Sequence, residues 1–220
     1  EKEEYAIIAV SAGEGINQMF KDLRVSEVVS GGQTMNPSTE DFVHAIEKVN
    51  AKNVFILPNN SNIVMAATQA GEVVEGVTCK VIPTKTIPQG LVACMMFNPE
   101  CNVEENFEQM SEALTSVKSG QVTFAIKDTT IDGLEIKANY FMGLNGKNIV
   151  TCKEDKVTAT IELLKTMIDE DSELVTLIAG NDAHDSETSA IVDYLNDKYD
   201  LEIDVKKGDQ PVYSYIIGVE

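Results

Sequence analysis

The first half of the chain alternates short, nearly continuous apolar runs with amphipathic stretches. Tyr5–Val10, Glu27–Ser30, Asn53–Leu57 and Cys79–Ile82 lack the strict alternation of a half-exposed strand. They read as strands buried on both faces, as in a parallel sheet. Between them the pattern predicts helices over Ile16–Leu23, Ser38–Asn50, Ile63–Val74 and Leu91–Phe97. In the second helix Phe42, Ile46 and Val49 recur at helical spacing and give it one apolar face. Asn36 is placed to cap it, with Pro37 at the first helical position, where a missing N–H costs nothing. Alternation of this kind predicts a parallel α/β layer.

A further helix, Val103–Val117, is expected to stop at Gly120, where the pattern changes. Gln121–Asp128 and Glu135–Leu144 then read as strands joined by Ile131-Asp132-Gly133, and Asn145-Gly146 signals a hairpin into Ile149–Cys152. A helix with Ile161, Leu164 and Ile168 on one face follows, then a strand Leu174–Ala179. A last helix carries Ile191, Leu195 and Tyr199, before strands Glu202–Val205 and Tyr213–Val219. The expectation is an α/β protein of two subdomains. Residues 1–120 hold a mainly parallel sheet flanked by helices, and residues 121–220 a mixed sheet with helices.

Composition narrows the function classes. At 43% hydrophobic over 220 residues the chain can bury a sizeable core, which excludes a fully disordered protein. No apolar run approaches the ~20 residues of a spanning helix. With 17 basic against 36 acidic residues the formal charge is −19, which repels phosphate backbones and argues against nucleic acid as a partner. Cys79, Cys94, Cys101 and Cys152 show no CxxC spacing, and only two histidines are present, so no zinc-ligand pairs appear. Isolated thiols without a signal peptide point to reduced cysteines and a cytoplasmic setting. The chain opens on Glu1–Glu4 and runs straight into a core strand, without an initiator Met, so it reads as a piece of something longer.

Several constellations carry candidate chemistry. Ser11-Ala12-Gly13-Glu14-Gly15 lies between a strand and a helix, the position of a phosphate-cradling loop. It lacks GxGxxG and GK[ST], and Glu14 would face any phosphate, so a tight turn is the better reading. Three polar clusters each follow a predicted strand and precede a helix: 31–39 (GGQTMNPST), 58–62 (PNNSN) and 83–90 (PTKTIPQG). In an open parallel sheet such loops share the carboxyl edge and converge. Thr34, Asn36, Ser38, Asn59, Asn60, Ser61, Asn62, Thr84, Lys85 and Thr86 are the candidate rim of a site for an anionic or polar ligand, or for a partner loop. The alternative is that the same residues cap helices and shape turns. His44 flanks the apolar positions of a helix and reads as a surface or half-buried residue. His184 with Asp182 and Asp185 makes a weak metal candidate beside the simpler reading of an aspartate helix cap. Asp169-Glu170-Asp171 reads as a solvated helix end. No serine or cysteine has a base assigned to it, so no catalytic residue, metal or cofactor is expected.

The long strings SGGQTMNPSTEDFVHAIEKVNAKNVFILPNNSNIVMAATQA, VIPTKTIPQGL and GDQPVYSYIIGVE resemble the C-terminal region of the bacterial fatty acid kinase A subunit, of the dihydroxyacetone-kinase-like family. The resemblance spans essentially the whole chain. It implies a role in lipid metabolism and phospholipid synthesis, with the ATP-binding domain N-terminal to this region and outside this chain. The order of elements from Thr34 to Ala70 is also similar to the DegV-like fatty-acid-binding proteins, which have two α/β domains. In that fold a Ser/Thr-bearing first loop, a Ser-Gly-rich second loop and a histidine near the C-terminus hold the lipid carboxylate, and the resemblance puts Thr34, Ser38 and Ser61 in similar places here. The second loop here reads Pro58-Asn59-Asn60-Ser61-Asn62, and the C-terminal histidine position falls near Tyr213–Tyr215, which holds none.

Two functions follow as expectations. The first is a non-catalytic module that docks the fatty-acid-carrying subunit for the kinase domains of the same polypeptide, its acidic surface favouring a partner with a basic patch. The second is a regulatory domain holding a small acid or lipid head group between its subdomains.

Overall fold

Why two long strands form the centre of the first sheet follows from their lack of a polar face, whereas the edge strands Glu27–Ser30 and Thr78–Val81, expected to be buried on both faces, are only half-buried to exposed. In the computed structural model, which describes residues 1–32 and 35–220, β1 (Glu3–Ser11) is buried from Ala6 through Ser11 without a break. It is flanked by β2 (Glu27–Ser30) and β3 (Ala51–Leu57), with β4 (Thr78–Val81) beyond β3. The order β2-β1-β3-β4 is parallel throughout, with Ser11 opposite Ser30 and Ala9 opposite Leu57. Every carboxyl end therefore points to one edge.

The connecting helices are α1 (Glu14–Asp22), α2 (Thr39–Val49), α3 (Val64–Val73) after a 3-10 turn at Ser61–Ile63, and α4 (Ile87–Met96). One face of the sheet is sealed by Phe42, Ala45 and Ile46 of α2 and Ala67 and Ala70 of α3, packed on Ala6, Ile8, Val10, Val54 and Ile56. On the other, Phe55 meets Tyr5 and Phe97, with ring centroids about 6 Å apart. The predicted cap of α2 shifts by two residues: Ser38, not Asn36, is the N-cap, and Pro37 lies outside the helix. From that position the serine hydroxyl reaches the Asp41 amide, and Asp41 returns the bond to the Ser38 N–H.

The helix expected to run to Val117 ends earlier. α5 (Val103–Glu112) is capped by Asn102 and passes into a 3-10 turn at Ala113–Ser116. Gly120 is not a helix stop but sits inside β5 (Lys118–Phe124). A Cβ there would stand 2.5 Å from Met167 Sδ, so the glycine lets a helix lie close against the strand. The predicted Glu135–Leu144 strand is also two pieces. β6 (Thr129–Ile131) and β7 (Leu134–Ile136) form a separate two-stranded hairpin, and β8 (Phe141–Asn145) begins only after Asn139, at φ 70°.

From β8 the Asn145-Gly146 turn leads into β9 (Asn148–Lys153), then α6 (Lys156–Met167), β10 (Leu174–Ala179), α7 (Asp185–Lys198), β11 (Glu202–Lys207) and β12 (Tyr213–Val219). The sheet order is β11-β10-β12-β5-β8-β9, with one parallel pair, β10 and β11, among antiparallel neighbours. Its core joins Leu163, Leu164 and Met167 of α6 and Ile191 and Leu195 of α7 to Val122, Val175, Leu177, Tyr215 and Ile217. Ile161, expected on the buried face of α6, is only half-buried, and Leu163 takes its place. The chain divides into two compact units: residues 1–12 with 16–116, and residues 13–15 with 117–220.

Candidate functional site

The parallel sheet of the first unit delivers three loops to one edge, and buried amides lock them together. Asn59, 4% exposed, follows β3 in the left-handed conformation at φ 58°. Its Nδ2 donates to the carbonyl of Val10 in the central strand at 2.9 Å, and its backbone N–H donates to Thr84 Oγ1 at 2.9 Å. Asn tolerates this backbone better than other side chains because its short amide bonds locally. α4 makes room for it at Gly90, where a Cβ would stand 2.2 Å from Asn59 Oδ1.

Asn60, 1% exposed, performs the second tie. Its Nδ2 donates to Gly32 O at 3.2 Å and reaches Asn36 Oδ1 at 3.4 Å, while its Oδ1 accepts the Asn62 N–H at 2.9 Å. In the third loop Thr84 N–H turns back to Ile82 O across Pro83, Lys85 N–H donates to Gln89 Oε1, and Thr86 Oγ1 accepts from Gln89 N to cap α4. Asn59, Asn60 and Thr84 are thus a buried framework. Asn36, Ser38, Asn62 and Lys85 are exposed, and Ser61 and Thr86 lie half-buried between them. Thr34 lies outside the described residues.

Electrostatics at this edge are mild. Asp41 is held below the usual carboxylate range by the backbone N–H and then the hydroxyl of Ser38. Two features lie outside the rim expected from the sequence. Ser11, at the end of β1, is 1% exposed, and its hydroxyl has no hydrogen-bond partner among the described residues. Met35 and Met65 are 62% and 71% exposed beside the first and second loops. Strand position alone could have flagged Ser11, since the end of the central strand must lie between the flanking loops.

The remaining candidates scatter. His44 is exposed and lies 3.8 Å from Glu40. Asp182 Oδ2 accepts from Ser214 Oγ at 2.8 Å, Asp185 pairs with Lys207, and His184 occupies the N-cap of α7, its backbone N–H donating to Glu187 Oε1. The cap predicted for an aspartate therefore falls to His184, with Glu187 closing it. Among the described residues no group of three metal-ligating side chains converges. Asp169 accepts from the Asp171 N–H and from Ser172 Oγ, an exposed turn after α6. Burial pushes the Cys94 thiol up to about 12 and that of Cys79 to about 11, so neither is a ready nucleophile.

A polar network does occupy the second unit. The Lys156 side chain, 8% exposed, donates to Asp182 O at 2.6 Å and Glu187 Oε1 at 3.1 Å, with its ammonium 5.3 Å from the centre of the Phe141 ring. Tyr215 and Thr188 share a hydroxyl–hydroxyl bond of 2.7 Å. Burial raises the Tyr215 phenol above its usual value, so it stays neutral.

The family model for the C-terminal part of proteins like the fatty acid kinase A subunit (FakA-like) matches residues 6–220. The protein YloV of Bacillus subtilis is 49% identical over 220 residues, all of this chain and 40% of its own. The chain spans about two fifths of the length of the curated relatives it matches. Among solved structures, a DegV family protein from Thermus thermophilus, described for fatty acid binding, superposes with a TM-score of 0.66 at 13% identity, covering 99% of both chains. The dihydroxyacetone kinase of C. freundii gives 0.66 at 15% identity, over all of this chain and 48% of that one. At such identities the two structures establish the fold, and no helix among the described residues is long and apolar enough to cross a membrane.

Proposed function

Because the chain belongs to the FakA-like fatty acid kinase family, as its C-terminal region, we propose that it is a non-catalytic docking module. It holds the fatty-acid-carrying subunit for phosphorylation by an ATP-binding domain elsewhere in the polypeptide, in the cytoplasm, and needs no cofactor of its own. The observation that carries this reading is the loop edge of the first unit. Its interior is tied by Asn59, Asn60 and Thr84, and its outer side chains are left facing solvent. Rigid loops with free outer faces suit recognition, since little order is lost on binding.

The experiment is a titration of the intact protein, in low-salt and high-salt buffer, with the fatty-acid-carrying subunit. Association weakened by salt, with phosphate transfer lost when residues 1–220 are deleted but nucleotide binding kept, is the expected result. No association at low salt refutes the reading.

A second reading is a regulatory domain that binds a small acid or lipid head group. The buried Ser11 hydroxyl, without a hydrogen-bond partner among the described residues, favours it, as does the fatty acid binding described for the Thermus thermophilus protein of this fold. The second unit speaks against a lipid carboxylate, because Tyr213–Tyr215 offers no histidine and the Tyr215 hydroxyl is already engaged by Thr188. Native mass spectrometry decides: a retained lipid supports this alternative.

A further inference from the structure

The loop edge differs in charge from the protein that carries it. Over residues 35–38, 58–65 and 83–86 the only charged side chain is Lys85, in a chain of formal charge −19, and beside them the Asp41 carboxylate is engaged by the Ser38 N–H. Lys85 is exposed and makes no ion pair among the described residues. Two apolar side chains share the edge. Met35 adjoins Asn36, whose amide oxygen lies 3.4 Å from Asn60 Nδ2, and Met65 is the second residue of α3, which follows directly from that loop. Both methionines are largely exposed, at 62% and 71%.

Interface centres are depleted of charge and enriched in methionine, which adapts its shape to a partner at little cost. An exposed cation that makes no ion pair within its own described residues is matched in such a centre by an anion from the other side. On the docking reading above, we infer that this edge is the centre of the docking surface, and that the partner's contacting face is apolar with a carboxylate opposite Lys85, not a basic patch. The acidic remainder of the molecule acts at longer range. It speeds the approach of a partner that is basic elsewhere, whereas Met35, Met65 and Lys85 set how long the complex lasts. An isologous contact with a second copy is disfavoured, because it would bring Lys85 towards Lys85.

The test uses the intact kinase and the fatty-acid-carrying subunit, with association and dissociation rates measured by interferometry in low and high salt. The variants are Lys85→Glu, Met65→Lys and, as a control on an exposed methionine at the far end of α4, Met96→Lys. Lys85→Glu and Met65→Lys should each raise the dissociation rate about tenfold or more at both salts, and Met96→Lys should leave it within about twofold. Salt should lower the association rate of every variant. Unchanged or tighter binding by Lys85→Glu overturns the inference in favour of a basic partner face. Equal rates for Met65→Lys and Met96→Lys move the docking surface elsewhere. Variants that change only the self-association of the kinase assign the edge to a second copy and overturn it too. Wild-type protein that never binds the subunit refutes the docking reading itself, an outcome distinct from the other three.

Discussion

Replacing Asn59 by alanine tests whether the loop edge is held by its buried amide. The substitution removes the 2.9 Å bond to Val10 O and strands that carbonyl in a fully buried strand, a loss of about 1–3 kcal/mol. Alanine must also hold φ 58°, which costs an ordinary side chain roughly 1–2 kcal/mol. The sum, about 2–5 kcal/mol, lowers Tm by roughly 4–20 °C at the ~2–4 °C per kcal/mol of a chain this size. Asn59→Gly keeps the backbone relaxed and should recover part of that loss. Gly90→Ala approaches the same contact from the helix. Helix propensity alone predicts a gain of ~1 kcal/mol, but the new Cβ would stand 2.2 Å from Asn59 Oδ1, so the variant should be destabilised. Thermal melts of the three variants by circular dichroism are the assay. An Asn59→Ala protein melting within about 2 °C of the parent, under about 1 kcal/mol by that conversion, refutes the reasoning. So does a Gly90→Ala protein that melts higher.

In the second unit, Lys156→Ala leaves Glu187 without its ammonium in a partly buried site and should cost about 3–5 kcal/mol. Adding Glu187→Gln should restore part of it, read as non-additivity in urea unfolding. Asp41 supplies a pH dependence. Its folded pKa is lowered from 3.8, so its contribution is present above the unfolded value and is lost as pH falls through the folded one. Asp41→Asn should therefore flatten the acid limb of the stability curve below about pH 4 and leave its neutral plateau sloping as before.

Much of this molecule follows from local pattern. The strands Leu174–Ala179 and Tyr213–Val219 stand where periodicity puts them, as does the set of parallel strands in the first half. Long apolar runs have one way to be buried on both faces, and the loops between them then share an edge. The long loop strings also carried the family. Other features were not local. A glycine that stops a helix and a glycine that admits one look alike in a sequence, and only the Met167 side chain above Gly120 decides between them. Ser38 won the cap from Asn36 by its distance from Asp41. In the rim, Asn59 and Asn60 are the same residue type in adjacent positions beside Ser61 and Asn62, yet two became framework and Asn62 stayed at the surface. Hydrogen-bonding capacity is written in the residue type, but whether it is spent on Val10 and Gly32 or left for a partner depends on which strands lie next to the loop. That neighbourhood exists only once the sheet has formed.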